Sequence, residues 1–248
     1  MSAESSQSPP SLEDFVDLFA ALDQHGVDFV VIGGMAVGAY ARLIDEVVVS
    51  RDLDICVAPT TLYDVLDDVQ ELGATIVKRP QARSIEVAFL DWRGLEVNIL
   101  TSSTGLPAPA PLAANARWFR LPDSEQGVLV ADPLDLLSNK LAVNRPKDQP
   151  HIAVLRRFID DDIVHDLGDP TTTPRERIRT AARLLDVLHQ STLDESLAAR
   201  LIPLATLPAD YRFLAHRVST KAQLDALAAR APADIQPLVR DIASRRTF

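Results

Sequence analysis

Cysteine is almost absent from this 248-residue chain: Cys56 is its only one, which excludes an internal disulfide and any metal site built from several thiolates. The five histidines, at 25, 151, 165, 189 and 216, show no His-x-x-x-His spacing of the kind that binds zinc. A long hydrophobic run is missing as well. The apolar stretch Phe29–Ala41 is closed by Asp28 and Arg42, well short of the roughly 18 residues that a membrane span needs. The first ten residues carry Glu4 but no lysine or arginine, unlike a secretory leader. There is no Gly-x-Ser-x-Gly, no P-loop, no dinucleotide fingerprint and no repeat of fixed period. A soluble, cytoplasmic protein without a membrane partner is expected.

What is present is a chain that can fold. At 47% hydrophobic and 24% charged residues it is too apolar for disorder and long enough for one large domain or two small ones. The net charge of −10 is unevenly spread: residues 1–125 hold 19 acids and 8 bases, residues 126–248 hold 16 and 17. The first half therefore repels nucleic acid unless cations intervene, and the second does not.

Residues 1–10 read as a flexible lead. Ser11-x-x-Asp14 is a capping box, and Leu12, Phe15, Val16, Phe19 and Leu22 follow at helical spacing until Gly26. Asp28–Ile32 reads as a buried strand that stops at Gly33-Gly34, with a helix from Met35 to Arg42. The next strand is either Val47–Val49 or Asp52–Val57. A helix opens at Pro59-Thr60 and ends near Gly73. Strands at Ser84–Leu90 and Leu95–Leu100 flank a hairpin turn, Asp91-Trp-Arg-Gly94. Pro107, Pro109 and Pro111 suggest a rigid surface loop, and Val128–Val130 a short last strand. Asp132-Pro133 is a strong helix start, and from there the pattern is helical to the end. The expected architecture is α/β (α+β): a small mixed-sheet core at 11–125, then an all-helical half at 126–248.

Chemistry concentrates in Gly33-Gly34 and Ser50-Arg51-Asp52-Leu53-Asp54. Asp52 and Asp54, two apart on a strand, share a face with their Cα atoms roughly 6.5 Å apart, and Mg²⁺ takes oxygen donors of this kind together with phosphate and water. Cys56 falls on the same face by strict alternation and reads as a small core residue. Two glycines between strand and helix let the backbone approach a phosphate at the helix N-terminus.

Taken together, a hydrophobic residue, Gly33-Gly34, a helix-length gap and Asp52-Leu53-Asp54-Ile55 resemble the nucleotidyltransferase superfamily of the DNA polymerase β type. The Ser50–Asp54 string is similar to the Ser-Lys-Asp-Ile-Asp of nucleotidyltransferase-like toxins of the abortive-infection and Men types. That resemblance, spanning roughly residues 27–160, implies carboxylates that hold Mg²⁺ and a nucleoside triphosphate such as ATP. Seventeen residues separate Gly34 from Asp52, more than is usual in the family. The family's third carboxylate comes from a later strand: here either Glu96 completes the metal site, or Asn98, standing where relatives often carry Asp, acts as a weaker ligand without charge.

The segment Asp132-Pro-Leu-Asp-Leu-Leu-Ser-Asn-Lys140 through Arg145-Pro-Lys147-Asp148 resembles the helix and Arg-x-Lys-Asp stretch that follows the core in these families. By position, Lys140 faces the nucleotide and Asp148 supports it, with Asp160, Asp161 and Asp162 as other sources of the supporting acid. His151 stands where relatives often carry a second Asp. The resemblance thus implies an NTP-dependent, pyrophosphate-releasing nucleotidyltransferase with Asp52, Asp54, Lys140 and Asp148 as catalytic residues. Gly33, Gly34, Ser50, Arg51 and Lys140 would bind nucleotide, and Asp52, Asp54 and Glu96 the metal. The acceptor hydroxyl would belong to a tRNA end, a protein or a small molecule, and the toxin branch adds an antitoxin partner. An alternative class is a catalytically inactive module of the same fold. Arg175, Arg179 and Arg183 recur along one face of a helix, either as a solvated face or as a surface for RNA phosphates.

Overall fold

The protein is described by a computed structural model over residues 9–79, 87–122, 124, 126–165 and 172–247. The chain falls into two compact units, 1–158 and 159–248. Seven strands among the described residues build one mixed sheet in the first unit: β1 (Phe29–Ile32), β2 (Asp52–Val57), β3 (Thr75–Lys78), β4 (Val87–Trp92), β5 (Leu95–Leu100), β6 (Arg117–Arg120) and β7 (Gly127–Val130), in the order β3-β4-β5-β2-β1-β7-β6. β2 runs parallel to β5 and antiparallel to β1, and β1 runs parallel to β7.

Alternation along the central strands separates chemistry from core. Leu53 and Ile55 of β2 and Val97 and Ile99 of β5 are fully buried, while Asp52 and Asp54 between them are half-buried on the other face. A fully buried Leu or Ile contributes about 1.5–3 kcal/mol, so this face fixes the register. A one-residue slip would turn both carboxylates into the core.

Around the sheet lie α1 (Val16–Gln24), α2 (Gly33–Arg42), α3 (Leu62–Glu71), α4 (Pro109–Asn115) and α5 (Pro133–Val143). Tyr40 of α2 is wholly buried, and its hydroxyl donates to the Ala131 carbonyl at 2.9 Å. Its ring meets Phe119 edge-on at 5.0 Å. Asp132 caps α5 by accepting from the Leu134 amide at 3.0 Å, with Pro133 in the first turn. Of the two candidate strands after α2, the second forms: residues 47–49 are irregular and 52–57 are β2. The hairpin lies between β4 and β5, and Arg93 and Gly94 both take positive φ, as the tightest hairpin turns require. Ser84–Glu86, expected to open that strand, lie outside the described residues. β3, β6 and α4 go beyond the elements expected from sequence, and α4 occupies the proline-rich stretch expected to be a loop. Its Pro109 stands in the first turn, where a proline costs no hydrogen bond.

After Asp132 the described elements are helical: α5, α6 (Gln149–Val164), α7 (Pro174–Val187), α8 (Glu195–Leu201), α9 (Pro208–Arg217), α10 (Lys221–Arg230) and α11 (Gln236–Ser244). The division drawn at residue 125 from sequence falls inside the first unit. The reason is that α5 buries Leu134, Leu136 and Leu137 and packs on α2, so the first helix of the helical half belongs with the sheet. In the second unit Leu197, Leu201, Leu214, Leu224, Leu227 and Val239 form the core. The Tyr211 hydroxyl donates to the Ala205 carbonyl at 3.1 Å.

Candidate active site

A cleft of about 420 Å³ opens beside the N-terminal end of β2 and is lined, among others, by Ser50, Asp52, Asp54, Asn98, Lys140 and Asp148. Its floor is the β2–β5 pair, whose parallel register sets Asp52 beside Glu96 and Asp54 beside Asn98. Asn98 is buried, and its Nδ2 donates to Asp52 Oδ2 at 3.1 Å and to Asp54 Oδ1 at 2.9 Å. Ser50 Oγ donates to Asp52 Oδ1 at 3.0 Å. Burial pushes the Asp54 carboxyl up to about 6, against the pull of the Asn98 hydrogen bond, with the Asp52 charge adding to the rise.

The glycine turn is pressed against these carboxylates. A Cβ on Gly33 would stand 2.0 Å from Asp54 Oδ2, and Gly33 has a φ of +72°. A Cβ on Gly34 would stand 2.5 Å from Ser50 Oγ. The N-cap residue of α2, Ile32, makes no side-chain hydrogen bond to its first turn, and Gly34 of that turn lines the cleft, where unpaired amides suit an anion.

The opposite wall is cationic. Lys140 of α5 and Asp148 are both buried, with Lys140 Nζ 3.7 Å from Asp148 Oδ1. Arg145 grips the same carboxylate from its side chain, Nε to Oδ2 at 2.7 Å and a terminal nitrogen to Oδ1 at 3.1 Å, and its backbone amide adds 3.2 Å to Oδ2. This hydrogen bonding holds the Asp148 carboxyl down at about 2, against its burial. Burial and the Arg145 charge lower Lys140, against the pull of Asp148.

Of the residues singled out from sequence, Gly34, Ser50, Arg51, Asp52, Asp54, Lys140 and Asp148 line one cleft, and Gly33 backs it. Glu96 is exposed and is not among the lining residues; Asn98 occupies the place between the two aspartates. Asp161 bonds Arg200 at 3.1 Å in the second unit, so Asp148 is the acid beside Lys140. Arg145 and Lys147 line the cleft without having been singled out as ligands. Their signal was the basic spacing around Asp148, but only the fold turns that segment back toward β2. Cys56 is buried and its thiol is pushed up to about 11, as a core residue's would be. Arg175 and Arg179 are exposed on α7, opposite buried Ile178 and Ala181.

The donor set suits a hard cation. Among the described residues no cluster of three or more His, Cys, Asp or Glu could hold a metal ion. Two carboxylates side by side nevertheless match what Mg²⁺ takes when substrate phosphates and water complete its shell. Asn98 Oδ1 is buried without a hydrogen-bond partner, and a half-turn of the amide would bring that oxygen to where Nδ2 now stands.

No protein-family model and no curated protein sequence matches the chain. Several solved structures are similar to it. Lincosamide antibiotic adenylyltransferase LnuA, lincomycin-bound, is 14% identical at a TM-score of 0.46, covering 61% of this chain and 99% of that one. ANT(2")-Ia in complex with adenylyl-2"-tobramycin is 13% identical at 0.40, covering 69% and 98%. An antigenic nucleotidyltransferase-like protein from Paracoccidioides brasiliensis is 15% identical at 0.35, covering 87% and 98%.

Proposed function

We propose that this chain is an NTP-dependent nucleotidyltransferase, moving a nucleoside monophosphate to an acceptor hydroxyl and releasing pyrophosphate. The observation that carries this is the convergence of two β2 carboxylates, an uncapped glycine-led helix start and a buried Lys140–Asp148 pair, gripped by exposed Arg145, on one cleft. Asp52 and Asp54 would hold Mg²⁺, with Glu96 or Asn98 nearest to complete the site. When bound, the ion neutralises phosphate charge and favours the ionised acceptor. The α2 amides and Ser50 bind phosphate oxygens, with Arg51 at the rim. Lys140 supplies positive charge that Asp148, itself gripped by Arg145, holds in place, so little reorganisation is needed when the triphosphate arrives.

ATP is the nucleotide we favour. Beyond that, the acceptor is a tRNA end, a protein or a small molecule. An RNA acceptor suits the second half of the chain, where bases balance acids and Arg175 and Arg179 are exposed. A role as the toxin of a toxin–antitoxin pair belongs to the same reading.

The test is incorporation of label from α-³²P-labelled NTPs into RNA, protein and small-molecule fractions, with and without Mg²⁺. Loss of incorporation in Asp52→Asn and Asp54→Asn, with melting temperature kept or raised, supports the enzyme. Nucleotide binding without transfer supports the second reading, a binding module, which the carboxamide of Asn98 between the aspartates favours because it cannot take up a proton.

A further inference from the structure

His151 is in the first turn of α6 and lines the cleft with Lys140, Arg145, Lys147 and Asp148. Its ring lies against the glycine turn: His151 Cε1 is 3.7 Å from the position a Gly34 Cβ would take. Its Nδ1 is buried without a hydrogen-bond partner, whereas Nε2 is not among the buried, unpartnered atoms. With Nδ1 enclosed and the residue lining the cleft, Nε2 is the nitrogen left for a ligand. The ring also stands beside the uncapped start of α2, which suits the distal phosphates of a nucleotide.

We propose that His151 is a catalytic residue that takes up a proton when the triphosphate binds and donates it from Nε2 to the departing pyrophosphate. The inference deepens the nucleotidyl-transfer reading and rests on it. In the free protein burial disfavours the imidazolium, and so do the charges of Lys140, Lys147 and Arg145, with Asp148 alone opposing. Arg51, Asp52 and Asp54 are the other charged groups of the cleft. The ring is therefore neutral near pH 7, a poor acid at rest. A bound triphosphate places negative oxygens beside Nε2 and neutralises the three cations, and both changes favour the protonated ring.

The step balances. The acceptor oxygen forms its bond to the α-phosphorus as the bond from that phosphorus to the pyrophosphate oxygen breaks, with the electron pair leaving on pyrophosphate. The Nε2 proton goes to that oxygen, the acceptor's proton is released to water, and His151 ends neutral. Nothing is oxidised or reduced.

The experiment is calorimetry of Mg·ATP binding to the full chain near pH 7.5 in two buffers of different ionisation enthalpy, followed by pH profiles of transfer. Wild type is expected to take up about one proton per nucleotide, as an imidazole that is neutral in the free protein and protonated in the complex requires. His151→Gln, which keeps a hydrogen-bonding side chain but carries no transferable proton, is expected to lose the uptake. Its kcat should fall about 10²–10⁴-fold, the usual worth of general acid catalysis, with KM for ATP changed far less and the alkaline limb of the kcat profile gone. Binding by wild type without proton uptake overturns the proposal while leaving nucleotidyl transfer standing. So does a His151→Gln enzyme with unchanged kcat and pH profile. Failure of wild type to bind any NTP overturns both. Because proton uptake is read on the wild-type chain, the result does not depend on how the variant folds.

Discussion

Asn98 stands in register beside Asp54, on the parallel neighbour strand, and its Nδ2 donates to Asp54 Oδ1 at 2.9 Å. The amide does for this carboxylate, and for Asp52, what a cation would otherwise do: it brings positive hydrogen to negative oxygen. The two aspartates thus tolerate each other without metal.

Asn98→Asp tests that arrangement. The substitution removes both donated bonds and puts a third negative charge between two others. Hydrogen bonds to charged groups contribute about 1.5–3 kcal/mol each, so the metal-free variant is expected to lose about 3 kcal/mol or more of stability. Mg²⁺ should restore most of that loss, since a third carboxylate strengthens a hard-cation site. Thermal melts with EDTA and with Mg²⁺ measure it; equal melting temperatures in EDTA for variant and wild type would count against the bridging role.

The pH dependence of stability in metal-free buffer should carry two opposed segments. The Asp148 carboxyl, held at about 2, gives stability that is fully present above the ordinary carboxylate range and is lost as pH falls toward 2. From that displacement the loss is about 2 kcal/mol. The Asp54 carboxyl, pushed up to about 6, acts with the opposite sign. Its folded form holds the proton more tightly, so stability declines as pH rises from about 4 through 6, by about 2–3 kcal/mol. Urea titrations across this range should show the upper segment vanish in Asp54→Asn. A decline that persists in that variant would assign it elsewhere.

The glycine turn predicts a sharper penalty for one methyl group than its size suggests. Gly33→Ala puts a Cβ 2.0 Å from Asp54 Oδ2 at a φ of +72°. The left-handed backbone alone costs an L-residue roughly 1–2 kcal/mol, and the displaced carboxylate adds to that. The variant should fold with reduced stability and lose Mg·NTP affinity by tenfold or more. Gly73→Ala, also at positive φ but with nothing within 4 Å of its Cβ, is the control. It should lose stability alone and keep nucleotide affinity.

Lys140 offers a charge test. Lys140→Ala leaves Asp148 with Arg145 as its remaining close cation, so the carboxylate keeps a partner and the fold should survive. NTP affinity is expected to fall at least tenfold, about 1.4 kcal/mol. Lys140→Arg should recover only part of it, since a planar guanidinium does not fit where a compact ammonium is buried. Calorimetric titration decides, and an alanine variant with wild-type affinity would remove Lys140 from the nucleotide site.

Local pattern was enough for much of this protein. Period-two alternation made 95–100 visible as a strand and offered 52–57 as one of two candidates after α2, and within 52–57 it set Asp52 and Asp54 on one face, because successive side chains in a strand must point to opposite sides. Asp132-Pro133 announced α5 by chemistry that acts within a few residues. Arg93-Gly94 did the same for the hairpin. β6 and α4 left no such mark: Arg117–Arg120 alternates around exposed Trp118 and half-buried Phe119, and a helix opening on proline looks from sequence like a loop of prolines. Glu96 and Asn98 share a strand face and could not be told apart by alternation. Only the register of β5 against β2, set by where Leu53, Ile55, Val97 and Ile99 bury together, brings Asn98 between the aspartates and leaves Glu96 in solvent. In the same way Arg145, Lys147 and His151, about a hundred residues from β2, reach the cleft only because α5, which precedes them, buries its leucines and packs on α2. Local chemistry determined the elements and the carboxylate pair; long-range burial decided which distant side chains meet them.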